Sequence, residues 1–364
     1  MDDVNALRSL LNDTDPRAGR TTDFSDRQRA RTKAIAMLDT APAQRPLWRR
    51  IPVLAGAAGF VAATTAAVLV IGTAGGGPAG IPAAYASPPE PIDVTSGTPE
   101  PGADRLLALA ETAGTGGEAP GDGDVAHVSS TGQELFTVTS FAGEEPSDDD
   151  LHSAGFIPYD WQYWQGPGGD IRELSTAGEA EDTRGDVEDH REFLDNRSDD
   201  YESTIHESLV LPRDLPTDAD SMTQALLGWG EGEVPPADSP EADAAVINAL
   251  NHLYDNRPLD GDELAATLRV LAGFSGVEYA GPTQDPIARD GEIFQVRVEE
   301  ATQTNEYRYV LDTDTGAVLY RDVTLLEEEP GESSLEQHGL ELPVTVSYRT
   351  YVWSGWVPEI GDRP

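Results

Sequence analysis

Cysteine is absent from all 364 residues. That excludes a disulfide framework, a thiolate zinc or iron–sulfur site, a cysteine nucleophile and a lipidated cysteine. Lysine occurs once, at Lys33, and all basic residues number 24 against 66 acidic ones. A formal net charge of −42 is the wrong sign for phosphate backbones, so nucleic acid is not an expected partner. The six histidines, at 127, 152, 190, 206, 252 and 338, form no HExxH pair and no near-neighbour metal spacing. Nucleophile elbows are also lacking: Gly273-Phe-Ser275-Gly276 is one residue short of G-x-S-x-G and sits at a predicted helix stop. No phosphate-binding loop is present. These absences lead to the expectation of a non-enzyme with no cofactor and no metal.

What is present is a core-forming fraction of 38% hydrophobic residues, enough at this length for two domains or slightly more. Residues 51–74 contain no charged, Asn, Gln or His side chain. As a helix rising about 1.5 Å per residue they would reach roughly 36 Å, longer than a hydrocarbon core of about 30 Å. A single transmembrane helix is therefore expected there. Arg45, Arg49 and Arg50 precede it, and the next basic residue is Arg105, so the positive-inside rule puts the N-terminus in the cytoplasm and the C-terminal part outside the cell membrane. Ala84-Tyr85-Ala86 offers a small-x-small cleavage pattern, leaving release of the outer part open. Residues 1–50 hold ten basic and seven acidic side chains. The remaining 14 basic and 59 acidic residues follow, so the excess acidity belongs to the expected exterior.

Four regions are expected along the chain. Residues 1–50 form a cytoplasmic helical arm, with helices at 4–11 and 26–38. Residues 51–74 form the span. Residues 75–102, with six Gly and seven Pro, form a linker. Residues 103–364 form an extracytoplasmic α+β domain. Its first element puts Ala103, Leu106, Leu107 and Ala110 on one helix face. Strands are expected at 125–129 and 134–140 as a hairpin around Ser130-Thr131-Gly132, then at Asp160-Trp161-Gln162-Tyr163-Trp164 and 171–174. Residues 178–202, with eleven acids, read as a solvated loop or exposed helix.

Three helices follow: one capped by Thr217 or Asp218 and ended by Gly228, one opened by Ser239-Pro240, and one capped by Asp262 and stopped by Gly273. Strands return at 276–280, 292–300, 306–311, 317–325 and 344–353. The expected fold is α+β, with a curved antiparallel sheet covered on one face by helices.

Leu215-Pro216-Thr217-Asp218, Leu268-Arg-Val-Leu-Ala272 running into Phe274-Ser-Gly-Val277, Asp285-Pro-Ile-Ala-Arg-Asp-Gly291, Tyr309-Val-Leu-Asp-Thr-Asp-Thr-Gly316 and the terminal Ser354-Gly-Trp-Val357 resemble a family of actinobacterial single-pass membrane proteins of unknown function. That resemblance implies a cytoplasmic N-terminus, an extracytoplasmic domain and frequent encoding near extracytoplasmic-function sigma factors. It implies no catalytic residues.

Among local constellations, Asp312-Thr-Asp314-Thr-Gly316 imitates half a calcium loop but is explained as a hairpin turn. Trp161, Tyr163 and Trp164 are a candidate platform for sugar or lipid, although alternating aromatics on a strand also serve sheet packing. The functional expectation is a non-enzymatic, membrane-anchored sensor or accessory of a sigma-factor-linked system. The alternative is an anchored lipid- or cell-wall-binding module. Expected partners are the bilayer, a cytoplasmic protein reached through residues 4–38, and an exterior ligand or basic partner.

Overall fold

The computed structural model describes residue 92 and residues 99–364, apart from 141–150, 186–187, 189, 192–197, 206–210, 229–234, 237–238, 301 and 330–334. The expected arm 1–50, the expected span 51–74 and most of the linker 75–102 lie outside the described residues, as do Arg45, Arg49 and Arg50.

The elements run β1 (Glu100–Pro101), α1 (Ala103–Ala113), β2 (Val125–Ser140), β3 (Leu151–Gln165), β4 (Asp170–Ala177), β5 (Glu181–Gly185) and β6 (Asp199–Thr204). Helices α2 (Ala219–Leu227), α3 (Pro240–Asn256) and α4 (Gly261–Ala272) follow. The chain then gives β7 (Glu278–Gln284), β8 (Asp290–Glu299), β9 (Gln303–Leu311), β10 (Val318–Glu328), a 3-10 turn (Leu335–His338) and β11 (Val344–Val357).

Local chemistry sets the helix ends. The Asp218 carboxylate accepts from the Ser221 amide at 2.9 Å and opens α2, which stops at Gly228. Ser239 does the same for α3 through Ala242, with Pro240 in the first turn. For α4 the cap is Asp260 rather than Asp262: Asp260 accepts from the Glu263 amide at 2.9 Å while Glu263 reaches back to the Asp260 amide at 3.2 Å. This reciprocal box satisfies two otherwise unpaired donors, which Asp262 two residues later could not do. In α1 the buried face is Leu106, Leu109, Ala110 and Ala113, whereas Leu107 is exposed.

The eleven strands form one sheet in the order β1-β7-β8-β9-β10-β11-β2-β3-β4-β6, with β5 pairing β3 outside that path. Every strand pair is antiparallel. The C-terminal strand β11 joins two meanders, with β10 on one side and β2 on the other. This corrects the expected curved sheet: the ladder is open from β1 to β6 and is neither curved nor closed. Two meanders set side by side through β11 widen a sheet, and closure would need β1 and β6 to pair.

The α+β composition stands, but the single transmembrane helix is withdrawn from the fold. Among the described residues no helix is long and apolar enough to cross a membrane. The longest, α3, has 17 residues, about 25 Å at 1.5 Å per residue, and carries Glu241, Asp243 and Asp255. Lack of charge in 51–74 meets a necessary condition for a span, not a sufficient one. The single-pass placement in a cell membrane, the signal anchor and the cytoplasmic and extracytoplasmic sides all rested on that run and are withdrawn with it.

Two strand expectations change for steric reasons. Residues 125–140 are one strand, not a hairpin, and their partner along the whole length is β3. Gly132 is not a turn residue: a Cβ there would lie 2.0 Å from the Tyr348 carbonyl oxygen, so glycine permits the close approach of β11. The acidic stretch supplies two strands, β5 and β6, both largely exposed. The fold also starts before Ala103, since β1 pairs with β7 and the Ile92 amide donates to the Tyr320 hydroxyl at 3.4 Å.

The main core lies between the helices and one sheet face. Leu106, Ile247, Leu250, Leu253, Leu268 and Leu271 pack with Phe294, Val296, Tyr307 and Tyr309. Full burial of each such side chain contributes about 1.5–3 kcal/mol. The Tyr309 hydroxyl donates to Asn251 Oδ1 at 2.7 Å and the Tyr307 hydroxyl to Asn248 Oδ1 at 3.3 Å, fixing α3 on the sheet.

Candidate functional site

The candidate site arises where two neighbouring strands stop pairing. The ladder between β10 and β11 runs from Leu325 with Val344 to Tyr320 with Thr350. Beyond Thr350, β11 continues along β2 to Val357, with a bulge between Tyr351 and Trp353 that leaves Val352 unpaired and exposed. On its other flank, β10 runs back from Val318 into the Asp312–Gly316 turn. That turn is held by Asp312 Oδ1, which accepts from the amides of Asp314 and Thr315 at 2.9 and 2.8 Å. Gly316 has φ +73. The hairpin-turn reading of this segment fits these bonds.

The chain after α1 lies along the opening. The Trp356 amide donates to the Pro120 carbonyl at 2.7 Å, and the Gly261 amide to the Gly117 carbonyl at 3.1 Å. A Cβ on Gly261 would stand 2.4 Å from the Ala113 carbonyl oxygen, so only glycine lets the start of α4 approach α1 this closely.

The wedge left between β10 and β11 is a cavity of about 440 Å³, within the range of small-molecule sites. Its inner wall is buried and mostly apolar: Ala113, Tyr254, Leu264, Leu319 and Tyr351. Its rim is exposed and includes Gly117, Glu118, Thr315 and Val352. Burial pushes the Tyr254 phenol well above its ordinary range, so it stays neutral.

Two arginines line the cavity, and each is held by a carboxylate. Arg257 is 3% exposed. Its Nη2 donates to Glu263 Oε1 at 2.7 Å and to the Arg213 carbonyl. Glu263 Oε1 also accepts from the Leu215 amide at 2.8 Å, so the Arg257 partner is itself fixed at three points. Among the described residues Arg257 Nε and Nη1 have no hydrogen-bond partner. The guanidinium stands 5.9 Å from the Trp356 ring centre. Arg289 donates through Nε to Asp285 Oδ2 at 2.7 Å and through Nη2 to the Leu319 carbonyl at 3.0 Å.

Trp161 and Tyr163 lie on one face of β3 and Trp164 on the other, because side chains alternate across a strand, so the three do not share one surface. Trp161 lies against Tyr159, with ring centres 4.8 Å apart, and under the Arg349 guanidinium at 4.0 Å. Trp164, on the opposite face, stacks on His127 at 4.6 Å and donates to the Asp362 carbonyl at 2.8 Å. Tyr163 donates to Gln165 Oε1 at 3.3 Å. Sheet packing accounts for the two tryptophans.

Three of the histidines, His127, His190 and His338, are buried, whereas His252 is exposed. His127 is 1% exposed between Trp164 and Trp353, and neither ring nitrogen has a partner among the described residues. Burial, with Arg363 adding repulsion, lowers its pKa to about 4, so the ring is neutral at pH 7. His152 and His338 both approach the Thr139 hydroxyl, at 3.2 and 3.3 Å. Ser153 Oγ and His190 Nδ1 are 2.6 Å apart, and Ser153 is wholly buried. Among the described residues no group of three or more His, Cys, Asp or Glu could hold a metal ion.

Arg257, Arg289 and the Val352 bulge were not singled out by sequence. The available signal was the scarcity of basic residues after residue 50, which makes each buried arginine unusual. Nothing local identifies the carboxylate each one meets.

No family model matches the chain, and no curated protein matches it. The resemblance to actinobacterial single-pass membrane proteins is therefore withdrawn, since its signposts are short strings that also mark helix stops and turns in this fold. The membrane-anchored sensor or sigma-factor accessory is withdrawn with it, and so is the anchored lipid- or cell-wall-binding module. The expected bilayer, the cytoplasmic partner at 4–38 and the exterior ligand or basic partner depended on the same topology and fall likewise.

Proposed function

We propose that the described domain is a non-catalytic binding domain for a small, largely apolar molecule taken into the wedge between β10 and β11. This reading owes nothing to a membrane or a signalling system. It rests on the cavity of about 440 Å³ at the break in the β10–β11 ladder. A continuous ladder would leave no room there, and the Val352 bulge with the Gly116–Pro120 backbone keeps the strands apart.

Two features favour binding over chemistry. The lining carries hydroxyls at Tyr254, Thr315, Tyr351 and Ser354 but no histidine, and its one carboxylate, Glu118, is on the exposed rim. The buried Ser153–His190 pair lies far away. Its strand partner Val138 is eight residues along β2 from Ser130, the partner of Tyr351, roughly 27 Å at about 3.4 Å per residue.

The test is binding of Nile red, an uncharged fluorescent dye, to the full chain and to a Gly117→Trp variant. A Cβ on Gly117 meets nothing within 4 Å, so the bulky side chain can occupy the rim without disturbing the backbone. Dye affinity is expected to fall tenfold or more in the variant at unchanged thermal stability. Equal affinity in both chains would sink the proposal.

A further inference from the structure

We infer that the molecule taken into this wedge is a short extended peptide, whose backbone pairs with the open edge of β11 at Ser354. The inference rests on the pocket reading above and adds the ligand's chemical class.

Strand geometry fixes where the open edge lies. In an antiparallel pair, successive residues turn their N–H and C=O alternately towards the partner strand and away from it. The Trp356 amide donates to the Pro120 carbonyl at 2.7 Å, and Trp356 bridges in parallel to Gly121. Trp356 therefore turns its backbone groups away from β2, although it stands opposite Ala126. The bonds to β2 fall to Gly355 and Trp353, opposite His127 and Ser129. Ser354, between them, turns its N–H and C=O the same way as Trp356, in the plane of the sheet and on the β10 side.

Among the described residues no strand or loop pairs with that side of Ser354. β10 leaves β11 at Thr350, and the chain after α1 meets β11 at Trp356. Between these points Val352, Trp353 and Ser354 all line the wedge. Ser354 is half-buried rather than sealed in the core.

A free strand edge is a template for another backbone. Filling it takes one C=O and one N–H that point the same way from either side of one α-carbon. An extended amino-acid residue presents that pair. A lone secondary amide does not, because its two groups point in opposite directions. The protein already uses this chemistry next door, where the backbone at Pro120 and Gly121 takes up the same edge at Trp356. The stretch from Thr350 to Trp356 is roughly 20 Å long at about 3.4 Å per residue, with its two ends taken, which leaves room for a short peptide and not a long strand. Side chains of an added strand stand perpendicular to the sheet, and Tyr254 and Leu264 of the helical layer supply an apolar wall there.

Three uncharged probes of nearly equal shape are compared by displacement of Nile red from the full chain. They are N-acetyl-phenylalanine N-methylamide, its methyl ester, and the depsi analogue in which the phenylalanine N–H is replaced by an ester oxygen. The esters are the more hydrophobic, so a merely apolar cavity would rank them first. Pairing at Ser354 reverses that order: one ester is expected to bind about tenfold more weakly than the diamide, because it sets an oxygen against the Ser354 carbonyl. Loss in the depsi analogue marks an antiparallel peptide, and loss in the methyl ester a parallel one. Hydrogen exchange at the Ser354 amide should slow about tenfold or more when the diamide is near saturation. Ser354→Ala, which keeps the backbone, should leave the ranking unchanged. Esters that both match the diamide overturn the inference, as does an unprotected Ser354 amide or a preference that disappears in Ser354→Ala. Nile red that binds but is displaced by none of the three also overturns it, and in all these cases the pocket reading stands. If Gly117→Trp leaves the dye affinity unchanged, the pocket reading falls and this inference with it.

Discussion

Strands β8 to β11 and strands β4 to β6 belong to one sheet, yet different physics holds them. Under the helices, charge is buried only where it is paired. Asp255 on α3 faces Arg321 and Arg349: Arg321 Nη2 stands 2.5 Å from Asp255 Oδ2, Arg349 Nη1 stands 3.4 Å from it, and the Tyr351 hydroxyl donates to Oδ1 at 2.7 Å. Arg349 also meets Glu134 at 3.1 Å. Burial pushes Asp255 upward, but the two guanidiniums outweigh it and keep its carboxyl below the usual range. At the other end, β5 and β6 are acidic and exposed, and their ion pairs stand in solvent. One chain composition thus yields a region where each charge matters individually and a region where only the total does.

The widest contrast is expected from removing one carboxylate in each region. Asp255→Ala leaves Arg321 and Arg349 facing each other, largely buried, and frees the Tyr351 hydroxyl. A loss of about 3 kcal/mol is expected, because breaking a buried pair leaves an uncompensated charge. Asp200→Ala on β6 should cost under about 1 kcal/mol, the usual value of an exposed pair. Urea unfolding of both variants checks the comparison. Equal losses would mean that α3 is not anchored to the sheet through Asp255.

A second contrast uses pH. His127, wedged between Trp164 and Trp353, has a folded pKa of about 4, against about 6.5 for an unperturbed histidine. Between these values the unfolded chain binds more protons at this position, so its contribution to stability is whole above about pH 6.5 and is lost as pH falls towards 4. The expected loss is about 2 kcal/mol, part of the full linkage value. Protonation of the many carboxylates acts over the same range, so the quantity to measure is the difference from His127→Phe. Phenylalanine keeps the stacking and buries no unpaired nitrogen. It should be at least as stable at pH 7 and should lack this part of the slope. Parallel pH profiles would show that His127 is not held neutral by its aromatic neighbours.

The same two regions differ in what sequence discloses. Helices α2 to α4 were legible because their signals are local: Asp218 and Gly228 bracket one, Ser239-Pro240 opens the next, and Gly273 stops the last. The last five strands were legible through alternation such as Phe294, Val296 and Val298. Gly132 was misread because glycine marks both turns and close backbone approaches, and only the neighbouring strand, 216 residues away at Tyr348, tells which. Strands β5 and β6 were misread because acidic side chains on an exposed edge carry no apolar alternation. The wedge was not legible at all. It depends on where two strands stop pairing, on a bulge at Val352, and on an Arg257–Glu263 contact six residues apart across a helix boundary, none of which has a local signature.

The smallest expected effect is at the exposed edge, and there it becomes informative only with salt. Arg172 on β4 grips Asp200 on β6 with two bonds of 3.0 and 2.9 Å, lies 3.6 Å from Glu202, and stands 5.7 Å from the Trp164 ring centre. It is the cation that β4 sets against the acidic edge strand. Arg172→Gln should cost about 0.5–1 kcal/mol at low ionic strength, since the pair is solvated and its geometry is bidentate. Added salt weakens this attraction but also weakens repulsion among the remaining acids, because the screening length falls from about 30 Å at 0.01 M to about 8 Å at 0.15 M. For the whole chain at −42 repulsion dominates, so its melting temperature should rise with salt. The variant, having lost its local counter-charge, should rise more steeply and close most of its gap to the parent by 0.15 M. A gap that stays constant across that range would mean that Arg172 acts through packing on Trp164, and that the edge is held as the covered strands are.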